Sequence, residues 1–288
     1  MSPFPTRAYF EGYGEIIIAC VLWSSAGILA KMIIGMPAQS IIFYRGAFAS
    51  VIFFMALLIS GNLNLVKLRD KKIYMLIFGI LQGATMLAFF ISVLKASVSV
   101  AVLLLYTAPV YVTIFSPGLL KERSTRTGII ALIISITGVL LMVDPAKLEL
   151  PAYSIGIVAA ILSGITYAFQ IMTSKYLSKT YSGYSQSFWG SFIVMLMFLP
   201  FSIISEDVVL VNLKYLIVLS IFPTILAISL YFNGLKKVKA QSASILGLIE
   251  PVSAVILAVL ILHEEITAAE IAGGALILAG AALAARDR

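Results

Sequence analysis

The sequence predicts an all-α membrane protein with ten transmembrane helices, arranged as two inverted five-helix repeats. Three observations lead there. The first is composition: of 288 residues, 61% are apolar and only 11% charged, and mean hydropathy is +1.07. Soluble domains carry about 25% charged residues. The second is a series of apolar segments whose connecting basic residues fall alternately on two sides. The third is an internal repeat. The net charge of +7 calls for no nucleic-acid partner, because basic residues crowd the cytoplasmic loops of membrane proteins. The single cysteine, Cys20, excludes an intramolecular disulfide and reads as a small core residue.

Each apolar run is near the ~20 residues a helix needs to cross a bilayer, and charged links separate most of them. The first is Gly14–Ile34, interrupted by Lys31. It is longer than the ~7–15-residue apolar core of a signal peptide and reads as a retained helix. Ala38–Ile59 follows, then Lys67, Arg69, Lys71 and Lys72 precede Ile73–Leu94. Lys95 leads into Ser97–Leu119, and Lys121, Arg123 and Arg126 into Gly128–Val143. Lys147 precedes Ser154–Tyr176; Lys175 and Lys179 lie before Tyr184–Ile204. Lys214 opens Lys214–Asn233, and Lys236, Lys237 and Lys239 precede Gln241–Leu262. Ala268–Ala285 closes the series before Arg286 and Arg288. With ten spans, 15 of the 20 Lys and Arg share the side of the two termini, four lie opposite, and Arg45 sits inside the second span. The positive-inside bias therefore places both termini in the cytoplasm, in a multi-pass cytoplasmic-membrane protein.

The repeat appears when the sequence is shifted by about 142 residues. Ala108-Pro109 falls on Glu250-Pro251, Lys121-Glu122 on His263-Glu264, Thr125 on Thr267 and Gly138 on Gly280. Upstream the offset drifts: Tyr44-Arg45-Gly46 matches Phe188-Trp189-Gly190, and Ala19 to Ser24 matches Ala159 to Gly164. The halves are residues 1–150 and 151–288. An odd number of spans per half turns the second upside down. Inverted repeats of this kind hold their substrate near the midplane between the halves.

LLLYTAPVYVTIFSPGLLKERST in the first half and ILGLIEPVSAVILAVLILHEEIT in the second share one pattern. It is an apolar helix with a central proline, then Glu at its exit, then Thr, then a Gly-containing helix. This resembles the fourth-helix signature of the drug/metabolite transporter superfamily, EamA-type branch. FYRGAF in the second span and VLWSSAG in the first are also similar to that family. The resemblance covers nearly the whole chain, twice. It implies a central cavity between the halves and transport of small organic metabolites, often export. One departure is that Ser163-Gly164 stands where the first half has Trp23-Ser24.

Glu250 is the sharpest single candidate. A charged side chain at the bilayer centre costs roughly 2.5–3.5 kcal/mol on insertion scales. Glu250 reads either as a cavity carboxylate for a substrate cation or a coupling proton, or as a structural acid bonded to a neighbouring helix. Ala243, Leu246, Gly247, Ser253 and Ala254 share its helical face; most are small and permit close packing or an open wall. Pro109 and Pro251 each remove a backbone donor and are candidate hinges. Arg45 reads as a snorkelling side chain, as an ion-pair partner of Glu250, or as a clamp for a substrate carboxylate. Trp23, Tyr106, Tyr167 and Tyr231 lie deep in their spans and read as cavity lining or core. Gln82, Thr85, Thr107, Gln170 and Ser244 read as interhelical glue or as part of the site.

His263, the one histidine, lies in HEEIT rather than HExxH, so no second metal ligand follows one turn on. Glu264 reads as a solvated helix end, a cap or a gate. Gly273, Gly280 and Ala284 serve packing or dimer contacts, in a monomer or weak homodimer. No cofactor, nucleotide or metal motif is visible. The aromatic interior suits amino acids or related amphipathic compounds, whereas a phosphate carrier would show more deep cations than Arg45. The rivals are an intramembrane lipid- or metabolite-modifying enzyme and a channel.

Overall fold

The computed structural model describes residues 6–143, 154–263 and 265–286, and among these there is helix but no strand. The join between the halves, at 150/151, lies outside the described residues, as does Glu264. The first half comprises α1 (Thr6–Lys31), α2 (Ala38–Ile59), α3 (Lys72–Lys95), α4 (Val98–Leu105), α5 (Ala108–Leu119) and α6 (Arg126–Val143). The second comprises α7 (Ser154–Leu177), α8 (Gly183–Met197), α9 (Glu206–Ser220), α10 (Ala227–Lys237), α11 (Ala240–Gly247), α12 (Ile249–Leu257) and α13 (Ala268–Arg286). Taken with their continuations, nine of these segments are long and apolar enough to cross a membrane, among the described residues. The exception is α8. Its 15 residues rise only about 22 Å before the Leu199–Phe201 3₁₀ turn ends the run.

The two halves are inverted, and glycine contacts show it. A Cβ on Gly138 of α6 would stand 2.5 Å from the Gly273 carbonyl oxygen of α13, while one on Gly280 would strike Ser135. Advancing along α6 therefore means retreating along α13, its counterpart in the repeat. The pair α2 and α8 behaves alike. Gly46 faces the Ser191 carbonyl, and Phe53 meets Tyr184 and Phe188, each at 6.4 Å between ring centroids. Equivalent helices run antiparallel in both pairs. The other contacts exchange as a two-fold relation requires: α3 packs on α7 as α1 packs on α10, and α5 meets α11.

The bounds of the eighth span are corrected, and the fourth and ninth spans each carry a break. The fourth and ninth spans are not continuous helices. Each is broken, at Tyr106-Thr107 and at Leu248, positions one repeat apart. Pro109 and Pro251 follow directly and deprive the Leu105 and Gly247 carbonyls of their helical donors. The chain tightens at each break: Thr107 N donates to Leu104 O at 3.2 Å, and Leu248 N to Ile245 O at 3.0 Å. Cys20 Sγ donates to Leu246 O at 3.5 Å beside the second break. The eighth span is also longer than its apolar core. It begins at Glu206, with Glu206 and Asp207 in its first turn, where they complement the positive end of the helix dipole. It then passes through a π-helical turn at Ile221–Leu226. Pro223 lies in that turn and removes one backbone donor.

A cluster of buried side chains fills the half of the bundle nearer the termini. Tyr9, Tyr13 and Ile16 of α1 meet Met75 and Phe78 of α3, Leu177 of α7, and Tyr231, Phe232 and Leu235 of α10. That packing leaves the open space in the middle and in the half remote from the termini.

Candidate functional site

The open space is a cavity of about 810 Å³, counted with its mouth, lying between the two halves. From the first half come Trp23 and Ala26 of α1, Arg45 of α2, Gln82, Thr85, Met86 and Phe89 of α3, and Leu105 at the end of α4. From the second come Tyr167 and Gln170 of α7, Ile228 and Phe232 of α10, and Glu250 of α12. Arg45, Gln82, Thr85 and Gln170 lie in the interiors of α2, α3 and α7.

Glu250 is in the first turn of α12, directly after the Leu248 break, where the unmatched N–H groups of a helix start favour a carboxylate. Among the described residues its carboxylate has no hydrogen bond and no ion pair within 4 Å. Arg45 does not snorkel to the interface. It turns inward, donating from Nε to Thr224 Oγ1 and from a terminal nitrogen to Pro223 O at 3.3 Å. Both acceptors belong to the π-helical turn. Arg45 and Glu250 both line the cavity and form no ion pair with each other. The cavity thus holds a carboxylate and a guanidinium cation, both presented to whatever occupies it.

The remaining predicted residues divide by position. Gln170 Nε2 donates to Gln82 Oε1 at 3.4 Å, and Thr85 and Thr166 hydroxyls lie 2.8 Å apart, so these polar groups join α3 to α7 on the cavity wall. Trp23 and Tyr167 line the cavity. Tyr106 does not reach it. It lines a narrow crevice beside the cavity at the two helix breaks, with Pro109, Ser244 and Glu250. Tyr231 is fully buried behind Trp23, with ring centroids 4.9 Å apart, and its hydroxyl donates to Ala243 O at 3.3 Å. Glu264 lies outside the described residues.

Sequence reasoning missed Met86, Leu105, Ile228 and Phe232, because an apolar residue in an apolar helix carries no mark of the face it occupies. It also missed Thr224, for which a mid-span proline at 223 was the available signal. A further missed feature involves Glu122, the repeat counterpart of Glu264. Glu122 Oε2 accepts from Ala240 N at 2.8 Å, capping α11, and Oε1 lies 3.5 Å from Lys175 Nζ. Lys175 Nζ in turn donates to Leu235 O at 2.8 Å and to Val238 O at the end of α10. A cation on one helix end and an anion on the next helix start both suit the helix dipoles. This clasp ties the halves together on the terminus side of the cavity. Its side chains are mostly buried, at 12% and 22% exposure. Lys175→Met is therefore expected to cost about 1–3 kcal/mol, less than a fully buried pair because solvent still reaches it. A double-mutant cycle with Glu122→Gln in detergent denaturation would measure the coupling; additive single effects would dismiss the clasp.

The geometry fits what known proteins show. The profile of the EamA-like transporter family matches the chain twice, over residues 11–144 and 154–286. An uncharacterized transporter of Archaeoglobus fulgidus is 31% identical over 281 residues, covering 96% of this chain and 97% of that protein. The uncharacterized inner membrane transporter YicL of Salmonella typhimurium is 28% identical, with 96% of both chains covered. A solved crystal structure superposes with a TM-score of 0.81 over 98% of this chain and 99% of that one, at 18% identity, which is a likeness of fold. Two family matches, one to each inverted half, and a relative aligned end to end lead to one conclusion: this chain is a multi-pass membrane protein of the EamA-like transporter family.

Proposed function

We propose that this transporter is a secondary carrier for a small amphipathic metabolite with a cationic group, an amino acid or a related compound. The carrying observation is Glu250, a carboxylate at the middle of the bundle that faces the cavity and has no partner among the described residues. An unpaired charge in such a place needs a counter-charge, and a substrate ammonium or a coupling proton supplies one. Arg45 keeps donors free for a substrate carboxylate, and Trp23, Phe89 and Tyr167 offer aromatic faces to an apolar body or a cation. The same reading takes residues 1–150 and 151–288 as the two moving units, counts α8 as a tenth, short span, and puts both termini in the cytoplasm. Access would alternate by rocking of one half on the other. The broken α4–α5 and α11–α12 units would act as hinges and the Glu122–Lys175 clasp as part of the terminus-side closure. Net movement would be export.

Counterflow in proteoliposomes tests this, with zwitterionic amino acids, amines and sugars as cargo. The expected result is saturable uptake of an amino acid or amine that preloaded unlabelled cargo stimulates. Flux that never saturates would mean a channel, and chemical turnover without flux an enzyme. Arg45→Lys should raise KM about tenfold for a carboxylate-bearing cargo, because Lys lacks the planar fork. For an amine without a carboxylate it should leave KM unchanged.

A further inference from the structure

A second concave surface lies on the outside of the bundle, between the start of α3 and the middle of α8. It measures about 720 Å³ and is separate from the central cavity. Its walls are apolar: Ile73 and Leu76 of α3 face Phe192 and Leu196 of α8. Two features distinguish it from an ordinary lipid-facing seam. At its terminus-side end stands Lys72, next to the link that also carries Lys67, Arg69 and Lys71 against one acid, Asp70. That link is fixed in place. Trp189 Nε1 donates to Val66 O at 3.1 Å, and the Tyr181 hydroxyl is bonded to both the N–H and the carbonyl of Arg69, at 2.8 and 3.0 Å. Lys71 is engaged over the Tyr176 ring at 4.0 Å. Lys67, Arg69 and Lys72 are exposed, and among the described residues none of their charged heads has an ion pair.

A basic link held through its backbone, beside an apolar trough with Lys72 at its end, matches one occupant in both its parts. We infer that this groove binds an anionic glycerophospholipid, with one acyl chain lying between α3 and α8 and the phosphate held by Lys72, Lys67 and Arg69. The groove depth at Lys72 is where a headgroup lies when α3 spans the bilayer, and the apolar walls run inward from there. A zwitterionic lipid offers the same chain but its own cation opposes the basic link. Each cation near a membrane surface favours anionic lipid by about fivefold. This inference does not depend on the identity of the cargo.

The protein carries its own reporter, since Trp189 lines the groove and Trp23 is the only other tryptophan. Trp23→Phe leaves Trp189 as the sole emitter. The variant is reconstituted into phosphatidylcholine vesicles containing equal fractions of either brominated phosphatidylglycerol or brominated phosphatidylcholine. Brominated phosphatidylglycerol should half-quench Trp189 at a mole fraction on the order of 100-fold lower. Lys72→Gln should reduce that preference about fivefold, and Lys67→Gln with Arg69→Gln should remove the rest. Equal quenching by the two lipids, or a preference that survives all three substitutions, would overturn the inference. If Trp23→Phe folds poorly, the same titration on the unmodified protein reads the difference over a constant Trp23 signal, and Ile193→Phe, which fills the groove without adding an emitter, should abolish it.

Discussion

Glu250→Gln is expected to lower counterflow at least about 30-fold while leaving the protein as stable as before, or more so. The two effects come from the same feature. The carboxylate has no partner among the described residues, so its neutral isostere breaks none of their hydrogen bonds or ion pairs. Removing a charge from membrane depth relieves a term of a few kcal/mol. What is lost is the counter-charge for the cargo or the coupling proton, and removing one partner of a desolvated charge pair costs about 2–5 kcal/mol, or roughly 30-fold upward at 1.4 kcal/mol per tenfold. A structural acid would behave in the opposite way, with thermal stability in detergent falling and flux per folded molecule persisting. Measuring both on one preparation separates the readings.

Gly138→Leu is expected to have the largest effect on folding. Even a Cβ at this position would lie 2.5 Å from the Gly273 carbonyl oxygen and 2.9 Å from Ile277 N. Those are backbone atoms of the opposing helix and have no rotamer by which to yield. The two helices would have to separate along their whole crossing, and overpacking a tight interface already costs about 1–3 kcal/mol where side chains can move. The expected outcome is loss of the monodisperse peak in size-exclusion chromatography. Gly27→Leu is the matched control, because a Cβ there meets nothing within 4 Å. It should express and elute normally. Equal behaviour of the two variants would contradict the antiparallel α6–α13 contact.

These predictions draw on features of different legibility. Helix positions could be read because a bilayer imposes one length and one polarity on every span, and because the basic links mark alternate sides. The repeat could be read from pairs such as Pro109 and Pro251, and it led to the inverted halves. Glu250, Gln82 and Gln170 stood out because a polar group within an apolar run is conspicuous. Facing was not legible. Tyr231 and Tyr167 lie at similar depth with the same chemistry, yet one is sealed behind Trp23 and the other reaches the cavity. A helix that is apolar on all sides does not reveal which side meets lipid. The π-helical turn that holds Arg45 depends on backbone geometry around Pro223, which hydropathy does not record. The clasp at Glu122 was not legible, because the motif places a Glu at the helix exit without recording that the packing of α7 brings Lys175 to it.

The central claim is that an aqueous cavity between two inverted halves contains the side chain at position 250. Single-cysteine variants in a Cys20→Ala background test it directly, using a water-borne, positively charged methanethiosulfonate on protein in vesicles. The account predicts that Glu250→Cys and Ala26→Cys react rapidly, while Ile256→Cys, on the lipid-facing side of the same α12, stays unreactive. Reaction at 256 with none at 250 would contradict it.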